Sequence, residues 1–122
     1  MVEVICDTSF LIHLANRRIL NTDLVPAEIG NITFVVPEVV RTELLRLSGD
    51  RKKGKEVQNA LDYAGRLKTV PIGGTFADRE LLRFASKNRI IVATMDRDLK
   101  KGIRDLGCTI LTLSKDRIVV ES

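Results

Sequence analysis

Short apolar stretches alternate along the chain with longer stretches that place apolar residues on one side of a helix. Several of the short stretches are rich in β-branched residues and end at a turn or a proline, as buried strands do. The strands predicted in this way cover residues 2–6, 32–36, 69–72, 90–94 and 109–113. A further apolar stretch at 117–120 follows the last of them.

Helices are predicted between these strands from the spacing of apolar residues and from start and stop signals. They cover residues 10–14, 24–29, 37–47, 57–67, 76–87 and 97–106, with Pro37 in the first turn of the third. Strands that alternate with helices indicate a parallel sheet with helices on both faces. We therefore expect an α/β fold, a three-layer α/β/α sandwich with a mainly parallel, roughly five-stranded sheet.

The whole chain, residues 1–122, is expected to form a single domain, since this length suits one core and no linker interrupts the pattern. Hydrophobic residues make up 44% and charged residues 30%, which is typical of a soluble protein. Charges or prolines interrupt every apolar run, so we expect no membrane span. The amino-terminal sequence lacks the pattern of a secretory signal, which favours a cytoplasmic location.

The formal net charge is +4 and the isoelectric point is near 9.3, a balance that suits a polyanionic partner such as RNA. Basic residues expected to contact its phosphates are Lys52, Lys53, Arg97 and Lys100, with ordinary solvated charge as the alternative. Aromatic residues make up only 4%, which favours recognition of the RNA backbone or shape over base stacking. Two isolated cysteines argue against a zinc site.

Two acids directly follow predicted strands. Asp7 comes after VEVIC and Asp96 after IIVATM, and each precedes a predicted helix. In a parallel sheet covered by helices, ligands bind beyond the carboxyl ends of the strands. Both acids are therefore candidate site residues, and helix capping is the alternative for each.

Two further acids interrupt the apolar faces of predicted helices. At about 100° per residue, Glu43 falls inside the apolar arc that contains Val39 and Leu44. Asp78 falls in the same way inside the arc that contains Leu81, and a capping box is its alternative. A carboxylate on a core-facing stripe must be paired, hydrogen-bonded or bound to a metal.

If these four acids converge, their repulsion is considerable, because two charges about 4 Å apart interact by about 4 kcal/mol at an effective dielectric of about 20. Protonation or bound cations are then needed to neutralise them. Oxygen ligands without histidine or cysteine suit Mg²⁺ or Mn²⁺. Asp98 is a second-rank candidate, and a solvated acid in the first turn of a helix is its alternative.

The order of these motifs resembles the PIN-domain family. The matching segments are Asp-Thr-Ser at 7–9, VPEVVRTELL at 36–45, Ala-Asp at 77–78 and TMDRDLK at 94–100. Each motif alone is weak, but their order and positions within one domain make a specific combination. This chain has Arg79 where similar proteins often carry another aspartate.

The resemblance implies a Mg²⁺- or Mn²⁺-dependent endoribonuclease, either a VapC-type toxin or an enzyme of ribosomal RNA processing. The catalytic and metal-binding acids it implies are Asp7, Glu43, Asp78 and Asp96, with Asp98 as a further metal ligand. The auxiliary residues it implies are Thr8, Ser9 and Thr94. The expected partners are RNA, an antitoxin protein or a pre-ribosomal particle, and a second copy of the chain in a dimer.

Other functions fit the same pattern less well. A receiver domain needs paired acids after its first strand, and an aspartate-nucleophile phosphatase needs an aspartate at the position of Ser9. The main alternative is a catalytically inactive PIN-like module that binds RNA or assists ribosome assembly.

Overall fold

The fold is built on one sheet. The computed structural model describes residues 2–19, 31–50, 52 and 54–121, in which six strands pair in the order β3-β2-β1-β4-β5-β6. The strands are β1 Val2–Cys6, β2 Ile32–Pro37, β3 Lys68–Val70, β4 Ile91–Ala93, β5 Thr109–Ser114 and β6 Arg117–Glu121. Every pairing is parallel except that of β5 with β6, so the predicted mainly parallel sheet is confirmed.

Helices cover the sheet on both faces. They are α1 Thr8–Asn16, α2 Glu38–Leu47, α3 Gly54–Ala64, α4 Ala77–Ala85 and α5 Arg97–Asp105. The chain runs from β1 to β3 in one direction along the sheet and then back across β1 to β4 and β5 in the other. Because such crossovers are right-handed, this reversal places the first three helices and the last two on opposite faces. The predicted three-layer α/β/α sandwich is therefore confirmed.

The sheet has six strands, one more than the roughly five that were predicted. Lys115 and Asp116 have φ values of 52° and 61°, so the two-residue connection from β5 to β6 is a type I′ hairpin turn. The sequence lacks the Asn-Gly or Asp-Gly signal of such a turn, which is why the pattern shows 117–120 only as an apolar stretch.

Some element boundaries also differ from the prediction. Pro37 ends β2 and is the N-cap of α2, with φ −62° and ψ 144°, instead of lying in the first helical turn. The ring of proline fixes φ near this value and suits both the extended strand end and the cap. The helix predicted at 24–29 lies outside the described residues. Within the described ranges, no helix is long and apolar enough to cross a bilayer.

The centre of the sheet is formed by β1 and β4, whose residues Val4, Cys6, Val92 and Ala93 have no exposed surface. The helices that follow these two neighbouring strands lie on opposite faces. The carboxyl ends of β1 and β4 are therefore the topological switch point of the sheet, where open α/β folds bind their ligands.

Candidate active site

Asp7 lies at this switch point, in the residue between β1 and α1. Its backbone N–H donates to the carbonyl oxygen of Ala93 at 2.8 Å, which fixes Asp7 to the end of β4. Its side chain is only 7% exposed. Asp7 occupies the N-cap position of α1, but its carboxylate makes no capping hydrogen bond to that helix. Helix capping therefore does not explain this acid.

Two hydroxyl groups hold the Asp7 carboxylate. Thr94, directly after β4 and fully buried, donates from Oγ1 to Asp7 Oδ2 at 2.8 Å, and Ser9 Oγ donates to the same oxygen at 3.1 Å. Backbone N–H groups orient both hydroxyls: Met95 N donates to Ser9 Oγ at 3.1 Å, and Asp96 N donates to Thr94 Oγ1 at 3.0 Å. The network fixes the position of one carboxylate oxygen across two strands.

The environment raises the pKa of Asp7. Burial, which penalises the charged carboxylate, is the largest cause, and the charge of Glu43 adds to it. Hydrogen bonds from Thr94, from the Thr8 backbone N–H and from Ser9 act in the opposite direction without cancelling the rise. Asp7 is thus a more basic carboxylate than an exposed aspartate, and Glu43 lies close enough to contribute to that basicity.

This raised pKa predicts a stability effect of Asp7→Asn. Because the folded-state pKa lies above the ordinary value of 3.8, wild-type stability falls as pH rises from that value through the folded-state pKa. At neutral pH the full cost of the buried charge is present, and asparagine removes it. We expect the variant to melt at a higher temperature than wild type at pH 7 with EDTA present.

Thermal unfolding followed from pH 7 down to pH 4 tests this expectation. The advantage of the variant should shrink as the pH falls, because wild-type Asp7 then becomes protonated in the folded state. A variant that melts below wild type at pH 7, or keeps a constant advantage throughout, would contradict the assigned environment.

Glu43 lies on α2 and is half-buried, next in the helix to the fully buried Leu44. This placement agrees with the prediction that Glu43 falls on the inward side of its helix. Its charge acts on Asp7, as the raised pKa of that carboxyl records. Among the predicted acids, Glu43 is thus the one whose charge affects the pKa of Asp7.

The other predicted acids occupy different environments. Asp78 is exposed and accepts a hydrogen bond from the Arg79 backbone N–H at 2.9 Å, so its predicted core-facing position is wrong. The alternative capping box is absent too, because the N-cap of α4 is Phe76 and no side chain caps this end.

Asp96 and Asp98 are also exposed. Asp96 is the N-cap of α5 and accepts from the Leu99 backbone N–H at 2.9 Å, which confirms the capping alternative for this residue. Its backbone N–H also orients the Thr94 hydroxyl, so Asp96 supports the Asp7 network through the main chain. Asp98 lies in the first turn of α5, where a helix favours negative charge.

Among the described residues, no three histidine, cysteine, aspartate or glutamate side chains group closely enough to bind a metal ion. The pair Asp7 and Glu43 nevertheless matches the needs of Mg²⁺, which keeps several waters and typically binds one or two carboxylates plus substrate phosphates. The two carboxylates thus fit an ion whose other ligands are oxygens of water and substrate. They do not fit an ion whose ligands all come from the protein.

The three predicted auxiliary residues differ in their contacts. Ser9 and Thr94 bind the Asp7 carboxylate, as described above. The Thr8 hydroxyl is buried, and it has no hydrogen-bond partner within the part of the chain that the structure describes.

The predicted phosphate-binding residues differ in how exposed they are. Lys52 and Arg97 are exposed. Lys100 Nζ lies 3.9 Å from Glu121 Oε1 and its side chain is only 19% exposed, so it is less available than predicted. Lys53 lies outside the described residues. Arg97, in the first turn of α5, is the predicted cation nearest in sequence to Thr94 and Asp96.

Comparisons with known proteins agree with this architecture. A family model described as a PIN-like domain matches residues 4–116. A solved structure, that of the PIN domain endonuclease Utp24, superimposes with a TM-score of 0.78 and 28% sequence identity, covering 98% of this chain and 90% of that one. A search of curated proteins found no match. The family match spans both strands of the switch point and all four predicted acids, and the chain therefore belongs to the PIN-like domain family.

Proposed function

We propose that this protein is an endoribonuclease that hydrolyses phosphodiester bonds of RNA. The observation that carries the proposal is the buried Asp7 carboxylate, held by two oriented hydroxyls at the switch point and made more basic by burial and by Glu43. The similarity to a PIN domain endonuclease supports the reaction class. The basic overall charge supports a polyanionic substrate.

In the proposed reaction, Asp7 accepts the proton of a water molecule whose oxygen attacks the phosphorus atom. The bond between phosphorus and the leaving ribose oxygen breaks, and that oxygen takes a proton from solvent. Burial and Glu43 raise the pKa of Asp7 in the ion-free protein, whereas a bound divalent ion would lower it. In the loaded site the ion would therefore supply the activation of the attacking water. Thr94 and Ser9 hold Oδ2 of Asp7, and we propose that Oδ1 contacts the reacting water.

We also propose that the site uses Mg²⁺ or Mn²⁺, with Asp7 and Glu43 as principal ligands. Asp78, Asp96 and Asp98 remain proposed contributors, acting through ordered water or on substrate binding, since all three are exposed. A bound divalent ion would neutralise the two carboxylates and stabilise the negative charge that develops on the phosphodiester.

Divalent ions should therefore raise the melting temperature of the RNA-free protein at neutral pH, because an ion that binds only the folded state stabilises it. At an ion concentration about 100 times the dissociation constant, the gain is about 2.7 kcal/mol. Titration with MgCl₂ or MnCl₂ during thermal unfolding measures this response. Asp7→Asn and Glu43→Gln should each lose most of it, whereas Asp78→Asn should keep a larger part.

Asp105→Asn is the matched control, since this exposed acid at the end of α5 pairs with Lys101 and lies outside the proposed site. The control should respond to the ions as wild type does. If Asp7→Asn gains as much as wild type, the ions bind elsewhere.

RNA affinity should fall steeply with salt concentration if exposed lysines and arginines contact phosphates. We expect Lys52→Ala and Arg97→Ala each to reduce the slope of log K against log salt by about 0.7, the value for one phosphate of a single strand. Fluorescence anisotropy of a labelled RNA across a salt series measures the slope. An unchanged slope would assign the replaced residue to ordinary solvated surface.

The second candidate function is RNA binding without cutting, as in a ribosome-assembly module. It is favoured by the exposed positions of Asp78 and Asp96, which leave fewer acids at Asp7 than the sequence predicts. Incubation of purified wild type with linear RNA and Mg²⁺ or Mn²⁺, followed by end mapping, separates the two functions. New internal ends support the nuclease, and retained but intact RNA supports the binding module.

The biological setting belongs to the same proposal. A toxin would be held by an antitoxin protein, whereas a processing enzyme would act on a pre-ribosomal particle, and either protein is expected to form a dimer. The similar structure of Utp24 is described as an endonuclease, which favours cutting over mere binding in both settings.

A further inference from the structure

Phe76 is the aromatic member of the few large hydrophobic side chains that are exposed in the described part of the chain. It is 51% exposed and directly precedes α4. Its side chain caps no helix, and only its carbonyl oxygen takes part in the helix, by accepting from Glu80 N at 3.1 Å. An exposed ring that contributes so little to the fold is available for a ligand.

A guanidinium group holds this ring. Arg79 Cζ lies 5.3 Å from the centroid of the Phe76 ring, over its face. This cation–π contact orders two otherwise mobile side chains. Phe76 is still half exposed although the Arg79 guanidinium lies over its ring, so much of the remaining ring surface faces solvent.

The pair is connected to the candidate active site through α2. Arg46 Nη2 donates to the carbonyl oxygen of Thr75 at 3.4 Å, which ties the residue before Phe76 to this helix. Glu43 precedes Arg46 by one helical turn, so both lie on neighbouring parts of the α2 surface. Phe76 also follows β3 and directly precedes α4, so it lies on the carboxyl edge of the sheet, as Asp7 does.

The charges around the ring favour an anionic ligand. Arg79 lies over the ring, Arg46 contacts the carbonyl oxygen of the preceding residue, and Arg83 follows Arg79 by one helical turn. Of these three arginines, only Arg83 takes part in an ion pair within the described ranges, with Glu80 at 3.4 Å. A flat ligand that carries negative charge satisfies both the ring and the free guanidinium groups. A nucleotide of single-stranded RNA has this combination, because its base stacks on aromatic side chains and its phosphate binds arginine.

We propose that Phe76 stacks on an unpaired base of the RNA substrate and that Arg79 contacts an adjacent phosphate. This inference rests on the proposed function and adds a requirement for an unstacked base next to the cut site. It also revises the expectation drawn from the low aromatic content, because one ordered and exposed ring is sufficient to stack one base.

Abasic scanning of a single-stranded RNA tests the proposal. In the Asp7→Asn background, which keeps the RNA intact, each nucleotide is replaced in turn by an abasic one and the dissociation constant is measured. We expect one position at which loss of the base weakens binding by about 5- to 100-fold, the usual range for a stacked base. In Phe76→Leu this penalty should disappear, and in Phe76→Tyr it should persist.

Leu106→Ala is the matched control, since Leu106 is 43% exposed and lies at the end of α5. This control should keep the abasic profile of the parent. A profile of Phe76→Leu that equals the parent's would overturn the stacking role. If wild type cuts RNA and the profile is independent of Phe76, only this inference fails; if the profile depends on Phe76 and wild type never cuts, only the proposed nuclease fails.

Discussion

Asp7→Asn should reduce the rate of RNA cleavage by about 10²- to 10⁴-fold, the usual loss when a general base is removed. The amide keeps the size of the carboxylate and still accepts hydrogen bonds from Thr94 and Ser9, but it no longer accepts a proton from water. RNA affinity should stay equal or rise, because the change removes negative charge facing a phosphate. Single-turnover cleavage and equilibrium binding, measured on the same RNA, separate the two effects.

Asp105→Asn again serves as the control, since it removes one exposed acid from the same protein without touching the Asp7 network. It should cut RNA at the wild-type rate. Equal cleavage by wild type and Asp7→Asn would indicate a contaminating nuclease and would remove Asp7 from the mechanism.

Thr94→Val should have the second largest effect. Valine fills nearly the same volume but donates no hydrogen bond to Asp7 and accepts none from the Asp96 backbone N–H. Because Thr94 is fully buried, the loss of these bonds should cost about 1–3 kcal/mol of folding stability. We expect cleavage about 10- to 100-fold slower, since a misplaced catalytic group loses much of its rate advantage.

The pH dependence of Thr94→Val distinguishes a positioning role from simple destabilisation. The Thr94 hydrogen bond lowers the pKa of Asp7, so its removal should move the acidic limb of the rate profile to higher pH. Thr94→Ser keeps the hydroxyl and should restore both the rate and the profile. A Thr94→Val profile that coincides with wild type, at a uniformly lower rate, would show that the hydroxyl does not tune Asp7.

The fold was largely predictable because strands and helices are encoded locally. The apolar stretch at 2–6 forms β1, and the amphipathic stretch from Glu38 forms α2. The hairpin at Lys115 and Asp116 was not predictable in this way, because both residues adopt left-handed backbone conformations without the glycine that usually signals such a turn.

The site was predictable only in part, for a related reason. The helical arc correctly placed Glu43 on the inward side of α2, where a neighbouring layer covers the middle of the helix. The same reasoning failed for Asp78, because an arc describes direction around the axis and takes no account of where the helix ends. The bond between Asp7 and Thr94 joins positions 87 residues apart, so no local pattern reveals it.

Phe76 shows a further limit of predicting binding surfaces from amino-acid composition. An aromatic content of 4% indicates few stacking surfaces, but it does not indicate which ring is buried and which is exposed. Phe10 is fully buried in the core, whereas Phe76 is half exposed beside Arg79. Exposure in the folded structure, and not abundance in the sequence, identifies the ring that is available to a ligand.

The most direct test of the central claim uses a circular single-stranded RNA in water enriched with ¹⁸O. A circle has no ends, so only an endonuclease converts it to a linear product. Wild type with Mg²⁺ or Mn²⁺ should linearise the circle and leave one ¹⁸O atom in the new terminal phosphate, because water is the attacking group, while Asp7→Asn should bind the circle and leave it closed. A circle that stays closed with wild type, or a linear product without ¹⁸O, would contradict hydrolysis at Asp7.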